Sequence, residues 1–278
     1  MTDFQAILLG IVQGITEWLP ISSTAHLNIV PDLLHWQFDD KVYAPFTAVI
    51  QLGTTLAALI YFRQDILGIL FNRKGAPGQD IGSDRRLLVP IAIGTLPVVI
   101  AGFALKKHIE TDFRSMYVIA IAEIVFAIVL LLADRLGKHT VGMERVSVKD
   151  GLMVGLGQML AIIPGVSRSG GTLTAAFAVG LDRPTAARFS FLLSLPAVTL
   201  AGLYELVKSR HEIAALHMTR YLLESTAVSF VVGLLTIGWL INFLKKHNTM
   251  SFVIYRIILG IALLVLLALK MISPMVHG

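Results

Sequence analysis

Six long apolar stretches set the strongest limit on how this 278-residue chain can fold. Each is close to the roughly 20 mostly apolar residues that an α-helix needs to cross the hydrocarbon core of a bilayer. Only 15% of the residues are charged, whereas about 25% is usual in a soluble globular protein. The sequence therefore predicts an all-α polytopic membrane protein with a single integral membrane domain over residues 1–278. The six stretches lie at about 44–62, 87–105, 116–134, 186–206, 221–244 and 252–271.

Two further apolar stretches, at about 4–36 and 150–181, are interrupted by short polar segments. The first is broken at Leu19-Pro20-Ile21-Ser22-Ser23-Thr24, and the second at Pro164-Gly165-Val166-Ser167-Arg168-Ser169-Gly170-Gly171-Thr172. The flanking pieces are roughly 12–16 residues long, which is too short to span a bilayer at about 1.5 Å per residue. Each stretch therefore predicts a re-entrant helical hairpin. Its tip must be buried in protein or reached by water, because lipid cannot satisfy free backbone groups.

The two broken stretches resemble each other. Gly10-Ile11-Val12-Gln13 matches Gly155-Leu156-Gly157-Gln158 at an offset of 145, and residues 46–61 match residues 189–204 at an offset of 143. Each half then contains one hairpin and three spans, and an odd number of spans inserts the second half upside down. The sequence predicts an inverted-topology repeat whose two tips meet near the midplane of the membrane. The repeats cover about 1–140 and about 146–278.

The Lys and Arg residues are spread between the apolar stretches, so the net charge of +5 indicates membrane anchoring and not nucleic-acid binding. With the loop 63–86 placed in the cytoplasm, 13 of the 23 Lys and Arg residues fall inside and 8 fall outside. This bias predicts that both termini lie outside. Arg168 and Arg256 remain at membrane depth. Arg256 lies about one turn into the last span, and we expect it to snorkel to the cytoplasmic face.

The second tip has the residue types of an anion site. Glycines allow a ligand to approach the backbone closely. The helix expected to start near Gly170 offers free N–H groups and the positive end of its dipole. Arg168 adds a planar fork of donors suited to phosphate. We therefore expect a phosphate site formed by Ser167, Arg168, Ser169, Gly170 and Thr172.

The first tip carries groups that could perform chemistry on a phosphate held by the second. Ionisable residues inside a membrane are costly and by default indicate function. Ser23 is the expected nucleophile, with Glu17 or His26 as the base that takes its proton. A water molecule in place of Ser23 is the alternative nucleophile. The neighbours expected to bind phosphate or support the site are Ser22, Thr24, Gln13 and Gln51.

Simpler structural roles compete with these assignments. Ser22 and Thr24 are typical helix caps at a break, and Glu17 could pair with Arg168 as a buried structural ion pair. Glu123 lies inside a span, and the sequence identifies no partner for it. Arg168, placed between two serines at membrane depth, is the hardest of these residues to explain by packing.

Three motifs make the chain resemble the undecaprenyl-diphosphatase (bacitracin-resistance) family of bacterial membrane proteins. Gln13-Gly14-Ile15-Thr16-Glu17 fits the family's (Glu/Gln)-x-x-x-Glu pattern. Leu19-Pro20-Ile21-Ser22-Ser23-Thr24-Ala25-His26 fits its Pro-x-Ser-Ser-Thr-x-His stretch, and Pro164 to Thr172 fits its Pro-Gly-x-Ser-Arg-Ser-Gly-x-Thr stretch. The resemblance covers essentially the whole chain.

The resemblance implies hydrolysis of undecaprenyl diphosphate to undecaprenyl phosphate and inorganic phosphate, which recycles the lipid carrier of peptidoglycan synthesis and gives bacitracin resistance. By the resemblance, Glu17, Ser23, His26 and Arg168 are the catalytic residues. Gln13 is allowed by the family pattern, but an amide cannot act as a base or bind a metal as an anion. Glu17 is therefore the more important of the two for those roles.

The resemblance also implies a location in the bacterial cytoplasmic (inner) membrane, with the active site facing the outer, periplasmic side. It implies dependence on a divalent cation, Mg²⁺ or Ca²⁺, and no organic cofactor. With one carboxylate at the site, we expect the cation to arrive on the diphosphate. The expected partners are the polyprenyl diphosphate and the bilayer, and close packing of glycine-containing spans would suit a homodimer.

Two other classes of function are alternatives to the enzyme. Inverted repeats with broken helices are a transporter layout, so a transporter or flippase of a phosphate-bearing lipid or solute is the first alternative. A non-catalytic scaffold is the second, and the cost of Glu17 and Arg168 at membrane depth disfavours it. A phosphohistidine mechanism is excluded because position 174, where the Ser-Arg-x₅-His motif needs histidine, is Thr174.

Overall fold

The computed structural model describes residues 1–71, 85–105 and 115–276. Within these residues the regular structure is helical, with two short 3₁₀ turns and no β-sheet. The α-helices are α1 (Asp3–Thr16), α2 (Ser23–Leu33), α3 (Asp40–Tyr61), α4 (Arg63–Phe71), α5 (Leu88–Ala104), α6 (Met116–Leu136), α7 (Val148–Leu160), α8 (Arg168–Ala178), α9 (Arg183–Ala215), α10 (Thr219–Leu244) and α11 (Met250–Ala268).

Six of the described helices are long and apolar enough to cross a membrane, which confirms the six predicted spans. The largest difference is α9, which has 33 residues and continues past the predicted end near residue 206 to Ala215. At about 1.5 Å per residue it is longer than a bilayer core is thick, so part of it projects beyond the hydrocarbon. Several charges used for the orientation, those of Arg73, Lys74, Lys106, Lys107 and Arg114, lie outside the described residues.

Both remaining apolar stretches are broken helices, as the sequence predicts. The helix α1 ends at Thr16 and α2 begins at Ser23, whereas α7 ends at Leu160 and α8 begins at Arg168. None of these four helices exceeds 14 residues. We call the connecting residues 17–22 and 161–167 the first and second breaks.

The two halves of the chain are interlocked by their helix contacts. The helix α1 packs on α10, and its counterpart in the second half, α7, packs on α5. Two further pairs join equivalent spans, α3 with α9 and α6 with α11. Large aromatic side chains fill the space between them, with the ring centroids of Trp18 and Phe191 4.8 Å apart. Because the contacts cross between halves, both breaks are held inside the same helical body.

Close backbone approach at glycines draws α7 against α8. A Cβ atom added at Gly157 would lie 2.5 Å from the carbonyl oxygen of Gly171, and one added at Gly171 would lie 2.4 Å from that of Gly157. Side chains larger than hydrogen would force these helices apart, and with them the two ends of the second break.

Candidate active site

A cavity of about 220 Å³ lies between the two breaks. It receives polar side chains from both halves of the chain, and its remaining walls are apolar. Seven of the residues expected at the site line it, together with one that was not expected, Gln158. The polar lining residues are Glu17, Ser22, Ser23, Thr24, Gln51, Gln158, Ser167 and Arg168.

Glu17 is the centre of the polar contacts in this cavity. Its Oε2 atom accepts a hydrogen bond from the hydroxyl of Ser23 at 2.9 Å and another from the amide of Gln13 at 2.8 Å. Its other oxygen, Oε1, forms an ion pair with Arg168. The side chain of Glu17 is 1% exposed and that of Arg168 is 21% exposed, so the arginine is the partner that an incoming anion can reach. The carboxylate thus binds the proposed nucleophile on one oxygen and the proposed phosphate ligand on the other.

The first break aims Ser23 into the cavity. Ser22 caps α2, because its hydroxyl accepts a hydrogen bond from the backbone N–H of Ala25 at 3.3 Å. Ser22 has φ 65°, a conformation that side-chain-bearing residues rarely adopt. Such backbone strain is concentrated at functional sites. A serine hydroxyl held by a carboxylate is the arrangement that activates a serine for nucleophilic attack.

His26 is near this serine but does not line the cavity. Its Nδ1 atom lies 2.7 Å from the carbonyl oxygen of Ser22, so Nδ1 carries a proton that it donates. In the neutral ring Nε2 then accepts from the hydroxyl of Tyr255, 2.5 Å away. Both ring nitrogens are engaged, and the hydrogen bond of Ser23 goes to Glu17 and not to His26.

The second break presents Ser167 to the cavity, and the first residue of α8 presents Arg168. The helix α8 starts at Arg168, within two residues of the expected start near Gly170, and Ser167 caps it with φ 68°. The N–H of Gly170 therefore donates to the hydroxyl of Ser167 at 3.1 Å and is not free for a ligand.

Three residues expected to bind phosphate lie behind the cavity wall. The hydroxyl of Ser169 donates to the carbonyl oxygen of Leu19 at 2.7 Å and so ties the first turn of α8 to the first break. The hydroxyl of Thr172 donates within α8, to the carbonyl oxygens of Arg168 and Ser169. Gly170 is also absent from the cavity lining.

The expectation for Arg256 was wrong. Its side chain does not snorkel to a membrane face, because it is 0% exposed and forms an ion pair with Glu123 at 2.6 Å. Glu123 is likewise 0% exposed. The sequence showed no partner for Glu123, because the two residues are 133 positions apart.

Gln158 is the lining residue that the sequence analysis missed. It lies 145 positions after Gln13, at the offset of the internal resemblance, and that offset was the signal that could have identified it. Its side chain is fully buried, and neither its amide nitrogen nor its oxygen has a hydrogen-bond partner among the described protein atoms. Ser194, the counterpart of Gln51, donates instead to the carbonyl of Ser190 within α9.

The donor set of the cavity does not fit a divalent cation held by the protein itself. Mg²⁺ and Ca²⁺ need several oxygen ligands, usually including more than one carboxylate for a site built from protein groups. Among the described residues no group of three or more His, Cys, Asp or Glu side chains is placed to hold a metal. The carboxylate of Glu17 already faces the cation of Arg168.

These features define a multi-pass helical membrane protein with a polar, arginine-containing cavity between two broken helices. The chain belongs to the family described as "Bacitracin resistance protein BacA", whose model matches residues 6–262.

Several relatives match the chain over nearly its full length. A protein of Myxococcus xanthus named "Undecaprenyl-diphosphatase" is 48% identical over 278 residues, covering 99% of this chain and 92% of the relative. Proteins with the same name from Chloroherpeton thalassium and Micrococcus luteus are 47% and 45% identical. Those alignments cover 97% and 98% of this chain, and 98% and 100% of the relatives.

Proposed function

We propose that this chain hydrolyses undecaprenyl diphosphate to undecaprenyl phosphate and inorganic phosphate. The observation that carries the proposal is the chain of contacts from Ser23 through Glu17 to Arg168 inside one cavity. The nucleophile Ser23 contacts the base Glu17, and Glu17 contacts the guanidinium of Arg168, which is suited to phosphate. Membership in the bacitracin-resistance family and the names of the relatives support the same reaction and the same lipid substrate.

In this proposal the incoming diphosphate separates Arg168 from Glu17. Arg168 is the more exposed member of the ion pair, and its planar fork binds two phosphate oxygens better than one carboxylate oxygen. The first backbone N–H groups of α8 add donors on the same side. Glu17 loses its cationic partner as the substrate binds, and its carboxylate becomes a stronger base. The structural ion pair considered in the sequence analysis is thus the resting state of the site.

The hydroxyl oxygen of Ser23 then attacks the terminal phosphorus. The O–P bond to Ser23 forms, the bridging P–O bond breaks, and undecaprenyl phosphate leaves with the bonding electron pair. Glu17 takes the hydroxyl proton. Water next attacks the phosphoserine, Glu17 returns its proton to the serine oxygen, and inorganic phosphate leaves with release of one proton. Arg168 stabilises the charge that develops on the phosphoryl oxygens in both steps. Because Ser23 donates to Glu17, the base in this scheme is Glu17, and His26 orients the first turn of α2.

The membrane arrangement is part of the proposal. The two short helix pairs are re-entrant hairpins of an inverted-topology repeat, over about 1–140 and about 146–278, in the cytoplasmic membrane of a bacterium. The matching caps at Ser22 and Ser167 and the reciprocal packing of α1 on α10 and α7 on α5 support the repeat. Both termini and the mouth of the cavity face the outer side, and the polyprenyl tail stays in the bilayer because the cavity is too small for it. Two copies pair through glycine-containing spans.

Any divalent cation in the reaction arrives on the diphosphate, since the donor set does not suit a resident ion.

Phosphate release tests the proposal directly. The purified protein in detergent is given a polyprenyl diphosphate without any ion gradient, which separates an enzyme from a transporter or flippase. We expect stoichiometric release of inorganic phosphate and formation of the lipid monophosphate. Wild-type protein that binds the lipid but releases no phosphate would favour the transporter.

A further inference from the structure

Arg256 is a fully buried arginine that contacts both breaks without lining the cavity. Its Nη2 atom donates to the carbonyl oxygens of Gly165 at 2.7 Å and Val166 at 3.0 Å in the second break. Its Nη1 atom donates to the carbonyl oxygen of Pro20 in the first break at 3.4 Å. Its Nε atom donates to Glu123 at 2.6 Å. One side chain of α11 thus reaches α6 and both breaks.

Broken helices inside an apolar body create the need for such a side chain. The last carbonyl groups of a helix and those of a turn have no partner in the helix itself, and lipid or apolar side chains cannot supply one. A guanidinium carries five donors in a rigid plane and no acceptor. It can therefore satisfy several carbonyls in a fixed geometry, which a flexible ammonium group cannot do equally well. Glu123 compensates the buried charge.

The first turn of α8 leaves room for this guanidinium. A Cβ atom added at Gly170 would lie 2.7 Å from Nη1 of Arg256. The absence of a side chain at Gly170 therefore makes room for Arg256, which gives this glycine a reason other than contact with phosphate.

The carbonyls that Arg256 holds are close in sequence to the reacting groups. Pro20 precedes Ser23 by three residues, and Val166 precedes Arg168 by two. Any change in the separation of these carbonyls moves the nucleophile Ser23 relative to Arg168, the residue proposed to bind phosphate. The hydrogen bond from Ser169 to Leu19 also joins the start of α8 to the first break, but it is a single bond and lies outside the cavity lining.

We propose that Arg256, oriented by Glu123, is a positioning residue that sets the distance between the two halves of the active site. The expected effect of Arg256 on turnover rests on the proposed function, whereas its expected effect on the distance between the breaks does not. Misplacement of reacting groups by roughly 1 Å can reduce a rate about 10²-fold. The loss should appear in kcat, because the groups that bind phosphate remain present.

The test compares Arg256→Lys and the double variant Glu123→Leu/Arg256→Met with the wild type. Arg256→Lys keeps the ion pair but not the fork. The double variant removes both charges together, a change that is often neutral or stabilising for a buried ion pair. In the double variant the carbonyl groups of Pro20, Gly165 and Val166 lose their donor, so we expect its Tm to fall, whereas Arg256→Lys should keep a Tm near that of the wild type. We expect kcat, measured well below each Tm, to fall at least about 30-fold in both proteins, with KM within about threefold. Wild-type kcat in either variant would overturn the proposal, and so would a kcat in Arg256→Lys that falls only as its Tm falls.

A distance measurement between α2 and α8 tests the proposal without an activity assay. The chain contains no cysteine, so two can be introduced for spin labels. Leu33→Cys and Ala178→Cys place the labels near the ends of α2 and α8, at exposed positions away from the cavity. We expect one narrow distance distribution with Arg256 present and a broad or shifted one in the two variants. An unchanged distribution would contradict the positioning role. If the wild type released no phosphate, the proposed function would fail while this measurement would still decide the role of Arg256.

Discussion

Ser22 and Ser167, 145 positions apart, adopt the same unusual backbone conformation, with φ and ψ of 65° and 100° in one and 68° and 122° in the other. Each caps the helix that follows through a hydrogen bond from the N–H three residues on. Each is followed directly by a residue that lines the cavity, Ser23 in one case and Arg168 in the other. The same strained turn thus aims the proposed nucleophile from one side and the proposed phosphate ligand from the other.

The conformation of Ser22 makes a stability prediction. Ser22→Ala loses the cap, worth about 1 kcal/mol, and must place a Cβ atom at positive φ. Ser22→Gly also loses the hydroxyl, but glycine adopts positive φ readily and is a tolerated cap. We expect alanine to lower the Tm of the purified protein clearly more than glycine does. Equal Tm values for the two variants would show that the backbone conformation at Ser22 carries no strain.

The nucleophile is tested by Ser23→Ala. Because Ser23 donates to Glu17 and faces the cavity, we expect phosphate release to fall at least about 10³-fold, and rapid quenching of the wild type to trap a phosphoserine. Ser225→Ala is the matched control, since Ser225 is a buried serine of α10 outside the cavity lining. Near-normal turnover by Ser23→Ala would contradict the serine mechanism and favour attack by water.

The base is tested by comparing Glu17→Gln with His26→Gln. Glutamine at position 17 can keep hydrogen bonds but cannot take a proton, so we expect kcat to fall about 10²–10⁴-fold. His26 does not line the cavity and its ring contacts Ser22 and Tyr255, so His26→Gln should lower kcat far less. The measurement is kcat for phosphate release, compared between variants at a temperature well below the Tm of each. The reverse order of effects would assign the base to His26, acting through a rearranged side chain.

The donor set of the cavity predicts where a divalent cation binds. Titration calorimetry of Mg²⁺ or Ca²⁺ into the protein without substrate should show no stoichiometric site at micromolar concentration, because the carboxylate of Glu17 is paired with Arg168. If EDTA lowers turnover, either cation should restore it in proportion to the fraction of diphosphate that carries metal. Tight stoichiometric binding to the free protein that is lost in Glu17→Gln would contradict this account.

The features that depend on local sequence were predictable. Spans of about 20 apolar residues and breaks at proline, glycine and serine have a direct physical signature, and the structure has both. Features that depend on contacts distant in sequence were not. Nothing near Arg256 in the sequence indicates that Glu123 and three backbone carbonyls surround it. The prediction that an arginine near a helix end extends to the membrane surface was therefore wrong here.

The candidate site shows the same division. The residue types at the two breaks predicted which side chains would gather, and Glu17, Ser23 and Arg168 do meet. The sequence did not show which of these residues line the cavity and which lie behind its wall, because that depends on the three-dimensional packing. Gly170 illustrates this, because its N–H is used by a helix cap and its open space is used by an arginine from α11.

The most direct test of the account is phosphate release by Arg168→Ala beside the wild type. Arg145→Ala serves as the matched control, because Arg145 lies outside the cavity, where it forms an exposed ion pair with its neighbour Glu144 and donates to the carbonyl oxygen of Thr140. The account predicts release of inorganic phosphate from a polyprenyl diphosphate by the wild type and by Arg145→Ala, and a loss of at least about 10³-fold in kcat/KM for Arg168→Ala. Turnover by Arg168→Ala equal to that of the wild type would contradict the assignment of this cavity as the active site.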